Sequence, residues 1–352
     1  MVAVPGRGDT PLLLIAPRNR TIRDRLAADL AEVESRFAAE LRSDLPCVNR
    51  LVTHIESYRG KMLRPTLVLV SAMGSNLQGG ANKDAHRIIA AVVEMVHMAT
   101  LAHDDILDDA EIRRGGTTIN SLVGNESAVM LGDYLISHAY HLCSDIGRTD
   151  ICRMIAESTN VTCEGELLQL ANRGNWFLDE QTYFEIIRRK TACLCGICCK
   201  IAAVLSGTTP ATAEALYRYG QKLGTAFQIV DDVLDLTSDE QTTGKTVGRD
   251  LQKGKLTLPL IHCLSTVCPD DQTRLHDLLQ AQGELGASAS THTAAVDQIR
   301  RYLADSESVA YAQRSAGQLI ADAKQAVMGH LAPSAARSLM LDMADAVLTR
   351  DC

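Results

Sequence analysis

The stretch HDDILDDAEIRRGG, residues 103–116, places five acids within the nine residues 103–111 and then turns basic. Asp104 and Asp108 are four apart, so on a helix they project from one face, and Asp105 and Asp109 repeat the relation on the adjoining face. Like charges at that spacing repel, and at a helix C-terminus they also oppose the macrodipole. A second D-D-x-x-D pattern, Asp231, Asp232 and Asp235, ends another apolar run, FQIVDDVLDLT. One such pattern arises easily on a solvated helix face. Two of them, both at the inner ends of apolar helices, point to hard oxygen ligands for Mg²⁺, which keeps several waters and bridges to phosphate. Asp104, Asp108, Asp231 and Asp235 are the candidate metal ligands, and through the metal such motifs hold an anion.

Cations stand at matching landmarks. RGKMLRP supplies Lys61 and Arg64, RRGG supplies Arg113 and Arg114, RRKTA supplies Lys190 and Thr191, and GKTVGRDLQKGKLTLP supplies Lys245 and Lys255. Each alone reads as an ordinary surface cation; together they describe a site for more than one diphosphate. His97 lies seven residues before Asp104, two turns back and about 10 Å along the axis, in reach of a second anion or else a satisfied core histidine. His138 and His141 are three apart and could suggest a ligand pair, but they read as structural. The run CLCGICC (193–199) reads as a buried helix in which cysteine is a small hydrophobe. Lys200 follows it, a charge that its sequence neighbours do not explain.

The elements that must position these groups are helices. Apolar stripes at three-to-four spacing run through 22–42, 64–75, 83–108, 126–145, 151–172, 180–206, 210–237, 254–268, 307–329 and 334–348, while strand-like alternation is nearly absent. The segment 83–108 is apolar on almost every face and reads as a helix inside the protein. GELGASASTHTAA (283–295) reads as a flexible connection, residues 1–20 as a loose terminus, and 21–352 as one all-α domain.

Of the 352 residues 46% are hydrophobic, which excludes a disordered chain, and the net charge of −8 argues against a nucleic-acid binder. No apolar stretch approaches the ~20 residues needed to span a bilayer. Eleven cysteines without a secretory signal fit a reducing cytoplasm.

The ordered motifs GKMLRP, HDDILDDAEIRRG, AVMLGDYL, EGELLQL, KTACL, FQIVDDVLD and GKTVGRDLQKGKLTLPLI, from about residue 55 to 265, resemble the trans-isoprenyl diphosphate synthases of the polyprenyl synthase family. The resemblance implies the all-α isoprenoid synthase fold, with helices round a central apolar cavity, and a homodimer. It implies Mg²⁺ ions at Asp104, Asp105, Asp108 and at Asp231, Asp232, Asp235. It assigns isopentenyl diphosphate to Lys61, Arg64, His97 and Arg114, and the allylic diphosphate to Arg113, Lys190, Thr191, Gln228, Lys245 and Lys255. Members often carry Arg where this chain has Met62.

The implied reaction is departure of diphosphate from the allylic substrate, attack by the double bond of isopentenyl diphosphate, and loss of a proton to the released diphosphate. Gln228 and Thr191 add dipoles near the cation. A terpene cyclase would not need Lys61, Arg64 and Arg114, and it would line its cavity with aromatics, which are 4% of this chain. A non-catalytic subunit would have lost carboxylates that are intact here. Short-chain members block the product path with an aromatic near Ala99, whereas here Ala99, Thr100 and Met95 leave it open, with Met130 and Tyr134 as a deeper floor. The expectation is a long product, roughly hexaprenyl to decaprenyl, rather than farnesyl or geranylgeranyl. The enzyme is expected to have no transmembrane segment and to associate loosely with a membrane for product release.

Overall fold

The computed structural model describes residues 20–56, 60–75, 83–113, 116–237, 248–283 and 289–350. Its helices are α1 (Arg20–Glu40), α2 (Pro46–Glu56), α3 (Leu63–Ser75), α4 (Lys83–Leu107), α5 (Ile119–Val123), α6 (Asn125–Ser144), α7 (Thr149–Ala171) and α8 (Glu180–Ile187). A π-helical turn over Arg188–Ala192 leads into α9 (Cys193–Leu205), followed by α10 (Pro210–Thr237), α11 (Arg249–Gln252), α12 (Leu258–Thr266), α13 (Pro269–Gly283), α14 (Ala289–Asp305), α15 (Ser308–His330) and α16 (Ala335–Leu348). Two strands of two residues each, β1 (Ile112–Arg113) and β2 (Gly116–Thr117), pair antiparallel after α4.

Two compact units can be distinguished. The first comprises residues 1–159, 197–217 and 326–343, and α4 is its central helix. It packs on α6, α3 and α1. Ile89, Val92, Met95 and Ala99 along it are fully buried, as its all-round apolarity requires. Arg87 Nε ties it to α1 by donating to Asp29 Oδ1 at 2.9 Å. By length and composition α4 is apolar enough to cross a membrane, which the sequence reading did not anticipate for any segment, but 78% of its apolar window is buried within the fold.

The second unit comprises residues 160–196, 218–325 and 344–352. Here α12 packs on α8 and α14. The His262 ring stacks on Tyr311 with centroids 4.0 Å apart, and the Tyr311 hydroxyl donates to Glu180 Oε1 at 2.9 Å.

The ten helical stripes correspond to observed helices, with corrections and several additions. Residues 180–205 are helical without a break, but a π-turn that the spacing does not predict lies within them at RRKTA. The stretch 283–295 is not wholly a connection: it is helical from Ala289, and 284–288 lie outside the described residues, as do 1–19. The expected helix at 254–268 starts only at Leu258, since Gly254 has φ +66° and Pro259 sits in the first turn. Helices α2, α5, α11, α13 and α14 went unread. In α13 only Leu275 and Leu279 supply buried apolar side chains, too sparse a stripe to register.

Candidate active site

The first aspartate motif closes α4. Asp109, at φ +45°, occupies the left-handed position just past the helix, Ala110 N donates to Asp105 O at 2.9 Å, and Asp109 N donates to Ile106 O at 3.2 Å. This is a Schellman ending with aspartate where glycine is usual. The chain beyond it is pinned back: Thr118 Oγ1 donates to Ala110 O at 2.6 Å and Asn120 Nδ2 to the same oxygen at 3.1 Å. Asp105 is buried and accepts from Arg113 Nε at 2.6 Å, so the arginine assigned to substrate is held on the motif itself. Asp104 and Asp108 are half-buried. The neighbouring His103 ring lies against Gly132 of α6, where a Cβ would fall 2.1 Å from its Nε2.

The remaining groups of this unit are distributed along α3 and α4. Lys61 is exposed just before α3, and Arg64 is half-buried in its first turn. Among the described residues, Arg64 Nε is a buried donor with no hydrogen-bond partner, an arrangement that suits an anion. Met62 is buried with φ +51°, and its carbonyl accepts from Thr66 N at 3.0 Å. His97 is half-buried, and its carbonyl accepts from Thr100 Oγ1 at 2.8 Å. Met95 and Ala99 are fully buried and Thr100 is half-buried. Met130 does not form a floor: it is 64% exposed, while Tyr134 instead donates to Leu41 O at 3.3 Å. Lys200 finds Glu214 Oε2 at 3.1 Å and the Tyr217 ring at 5.1 Å, which accounts for its charge. Arg114 lies outside the described residues.

In the second unit, an open pocket of about 100 Å³ gathers Lys190, Thr191, Gln228, Asp232 and Lys255, all expected from the sequence, with Tyr183 and Asp250 beside them. The π-turn presents Lys190 and Thr191. A π-turn adds one residue to a helical turn and is frequent at functional sites. It fits here because its neighbours lack side chains. A Cβ on Gly165 of α7 would lie 2.5 Å from Lys190 N, and one on Gly224 of α10 would lie 2.9 Å from Ala192 Cα. The EGELLQL motif also supplies the partners of Lys190, which pairs with Glu166 and donates to Gln169 Oε1 at 2.8 Å. Ahead of the turn, Glu185 accepts from Arg188 Nε at 2.8 Å and Arg189 Nε at 2.5 Å. The Arg188 bond, first of all, holds the Glu185 carboxyl at about 2.

A hydrogen-bonded chain crosses the pocket. Thr191 Oγ1 donates to Gln228 Oε1 at 3.2 Å, Gln228 Nε2 to Asp232 Oδ1 at 2.8 Å, and Tyr183 to Asp232 Oδ2 at 2.6 Å. Burial and then the charge of Asp250 push Asp232 well above the usual carboxylate range. The same two causes push Asp235 up to about 7, although Arg249 N and Asp250 N donate to it at 3.3 and 3.2 Å. Asp231 lies 2.9 Å from Arg350 Nη1, whose guanidinium stacks 3.9 Å over the Phe227 ring. Carboxylates crowded until their ionisation is opposed are the donor set of a hard divalent cation, and the residues fit Mg²⁺. Lys245 lies outside the described residues.

Sequence reasoning missed Tyr183, Asp250, Glu166 and Arg350. Asp250 and Glu166 lie inside motifs already singled out, whereas an isolated Tyr and an isolated Arg carry no local signal.

The Polyprenyl synthetase family pattern matches residues 46–297. The octaprenyl diphosphate synthase of Escherichia coli (strain K12) is 36% identical over 259 residues, covering 74% of this chain and 79% of the relative. Component 2 of the heptaprenyl diphosphate synthase of Bacillus subtilis (strain 168) is 34% identical, covering 73% of each. The crystal structure of polyprenyl synthase from Caulobacter crescentus CB15, complexed with calcium and isoprenyl diphosphate, superposes with a TM-score of 0.84 at 30% identity, covering 94% of this chain and 98% of that one. With the aspartate motifs, the pocket cations and the all-α isoprenoid synthase fold already in place, these similarities establish that the chain belongs to the Polyprenyl synthetase family.

Proposed function

We propose that the protein is a prenyltransferase that condenses isopentenyl diphosphate repeatedly onto an allylic diphosphate to give a long all-trans product, with residues 21–352 working as one catalytic domain. The pocket carries this reading: cations on the π-turn and at Lys255 stand beside a buried carboxylate motif, a combination suited to a metal-bound diphosphate. The octaprenyl and heptaprenyl relatives support the long product.

Asp104 and Asp108 at the end of α4, and Asp231 and Asp235 on α10, would hold Mg²⁺, which would supply Lewis-acid stabilisation of the leaving diphosphate. Lys190, Lys245, Lys255 and Arg113 bind that diphosphate, while Lys61, Arg64, His97 and Arg114 bind isopentenyl diphosphate. Gln228 and Thr191, already aligned by their mutual hydrogen bond, turn oxygen dipoles toward the developing positive charge. Small, buried Ala99 on α4 leaves the growing chain room. The enzyme acts in the cytoplasm as a homodimer and releases its product at a membrane.

The test is an assay of the purified chain alone with Mg²⁺, labelled isopentenyl diphosphate and a series of allylic primers, its products sized by chromatography. Roughly hexaprenyl to decaprenyl products are expected. Asp104→Asn or Asp231→Asn should cut turnover by orders of magnitude, because each ligand acts on charge that develops in the transition state. Ala99→Phe should shorten the product by filling the path. Near-normal turnover in EDTA or in both aspartate variants would overturn the metal assignment. A product that stops at geranylgeranyl length would overturn the long-chain one. Activity that appears only with a second protein would assign this chain to a heteromer, a reading raised by the Bacillus component 2 relative.

A further inference from the structure

His138 and His141 on α6 are brought against a carboxylate that is distant in sequence. Glu40, the last residue of α1, points its Oε1 at both rings on α6, 2.9 Å from His138 Nδ1 and 2.8 Å from His141 Nδ1. The three ligand atoms lie within 4.8 Å of one another. We propose that Glu40, His138 and His141 form a divalent transition-metal site of the zinc class, separate from the aspartate motifs, that ties α1 to α6.

Three physical arguments support it. Zinc bonds of about 2.0–2.1 Å to nitrogen and oxygen set tetrahedral ligand edges near 3.3 Å, so contacts of 2.8 and 2.9 Å need open by only about half an ångström. The donor set matters too. Imidazole nitrogens favour Zn²⁺, Cu²⁺ or Ni²⁺, whereas all-oxygen sets favour Mg²⁺, so this cluster and the aspartate motifs select different ions. Finally, Glu40 ends α1, where a carboxylate opposes the helix dipole and a cation compensates it.

The surroundings hold two of the ligands firmly and leave the third open. The Glu40 side chain is only 14% exposed, and the Tyr134 ring packs against His138 with centroids 4.3 Å apart. Tyr134, His138 and His141 follow one face of α6, and the Tyr134 hydroxyl bonds the carbonyl of Leu41, next to Glu40. The His141 side chain is 69% exposed, which leaves water access to a fourth coordination position.

The experiment uses the full chain stripped with EDTA and returned to millimolar Mg²⁺, so that the carboxylate motifs are saturated. Zn²⁺ is then titrated by calorimetry, and Co²⁺ by visible absorption. One equivalent should bind beyond the Mg²⁺ background, with the strong Co²⁺ bands of a four-coordinate site and a raised melting temperature. His141→Ala should weaken binding at least tenfold and abolish the bands while leaving Mg²⁺-dependent turnover unchanged. Because that side chain is largely exposed, the variant folds, and circular dichroism checks it; Glu40→Gln should weaken binding in parallel. Unchanged Co²⁺ binding and bands in His141→Ala would overturn the site. So would Zn²⁺ binding that disappears only in Asp104→Asn or Asp231→Asn, or an absence of binding at micromolar metal.

Discussion

Tyr183 and Asp232, 49 residues apart in sequence, meet through a 2.6 Å hydrogen bond in which the buried phenol donates to the buried carboxylate. This bond joins α8 to the second aspartate motif on α10, and with Gln228 it occupies both oxygens of Asp232. Asp232 is thereby fixed from the protein side, as Asp235 is by Arg249 N and Asp250 N and Asp231 is by Arg350.

Tyr183→Phe removes the donor and leaves Asp232 Oδ2 buried with one partner fewer. A loss of about 1–3 kcal/mol in stability is expected, read by denaturant unfolding of the Mg²⁺-loaded protein. Turnover should fall as well, because Asp232 loses its orientation. A variant equal to wild type in both measurements would show that the bond does not position the motif.

Gly165→Ala should be among the most damaging single-methyl changes in the second unit. The added carbon would lie 2.5 Å from Lys190 N, and backbone cannot swing aside as a side chain can. Overpacking of this kind costs about 1–3 kcal/mol. It should also displace Lys190, raising KM for the allylic substrate more than for isopentenyl diphosphate. Equal effects on the two KM values would argue against Lys190 serving the allylic site.

Glu185 gives a pH prediction with a definite sign. Its pKa falls from an ordinary 4.5 to about 2 in the folded protein, mainly through the Arg188 bond. A depressed carboxylate pKa adds stability that is fully present above 4.5 and is lost as pH falls toward 2. Wild type should therefore melt above Glu185→Gln at neutral pH, with the gap closing across that window. A gap that persists unchanged at pH 2 would show that packing, rather than charge, distinguishes the two proteins.

Asp109→Gly should stabilise. Aspartate at φ +45° occupies a conformation that glycine adopts without strain, and its charge adds to the repulsion along the motif. A gain on the order of 1 kcal/mol is expected in thermal melts without Mg²⁺. Because Asp109 is exposed and outside the D-D-x-x-D triplet, turnover should change little. A lower melting temperature would mean that the aspartate side chain itself holds the helix end.

The sequence made legible what repeats or alternates. The stripe through 83–108 located α4 to within a residue because almost every position on it is buried. The two aspartate triplets stood out because like charges at helical spacing are unfavourable without a cation. Lys190 and Thr191 were found, but the π-turn that presents them was not, since its cause lies at Gly165 and Gly224, distant in sequence and silent in any local pattern. Glu40 was hidden from His138 for the same reason: 98 residues separate them. Product length rests on α4 alone, because the exposure of Met130 removed the floor that spacing had suggested.

The π-turn makes the chain vulnerable in an unusual direction. Deleting one residue from Arg188–Ala192 would restore an unbroken α-helix, locally a more regular structure. The extra residue is absorbed within that one turn, so α8 and α9 would keep close to their present relation while the bulge itself is lost. Lys190 and Thr191, which the bulge presents, would no longer be offered to the pocket in the same way. Along this helix a shorter, smoother chain is the defective one, and the tolerated changes are those that preserve residue count.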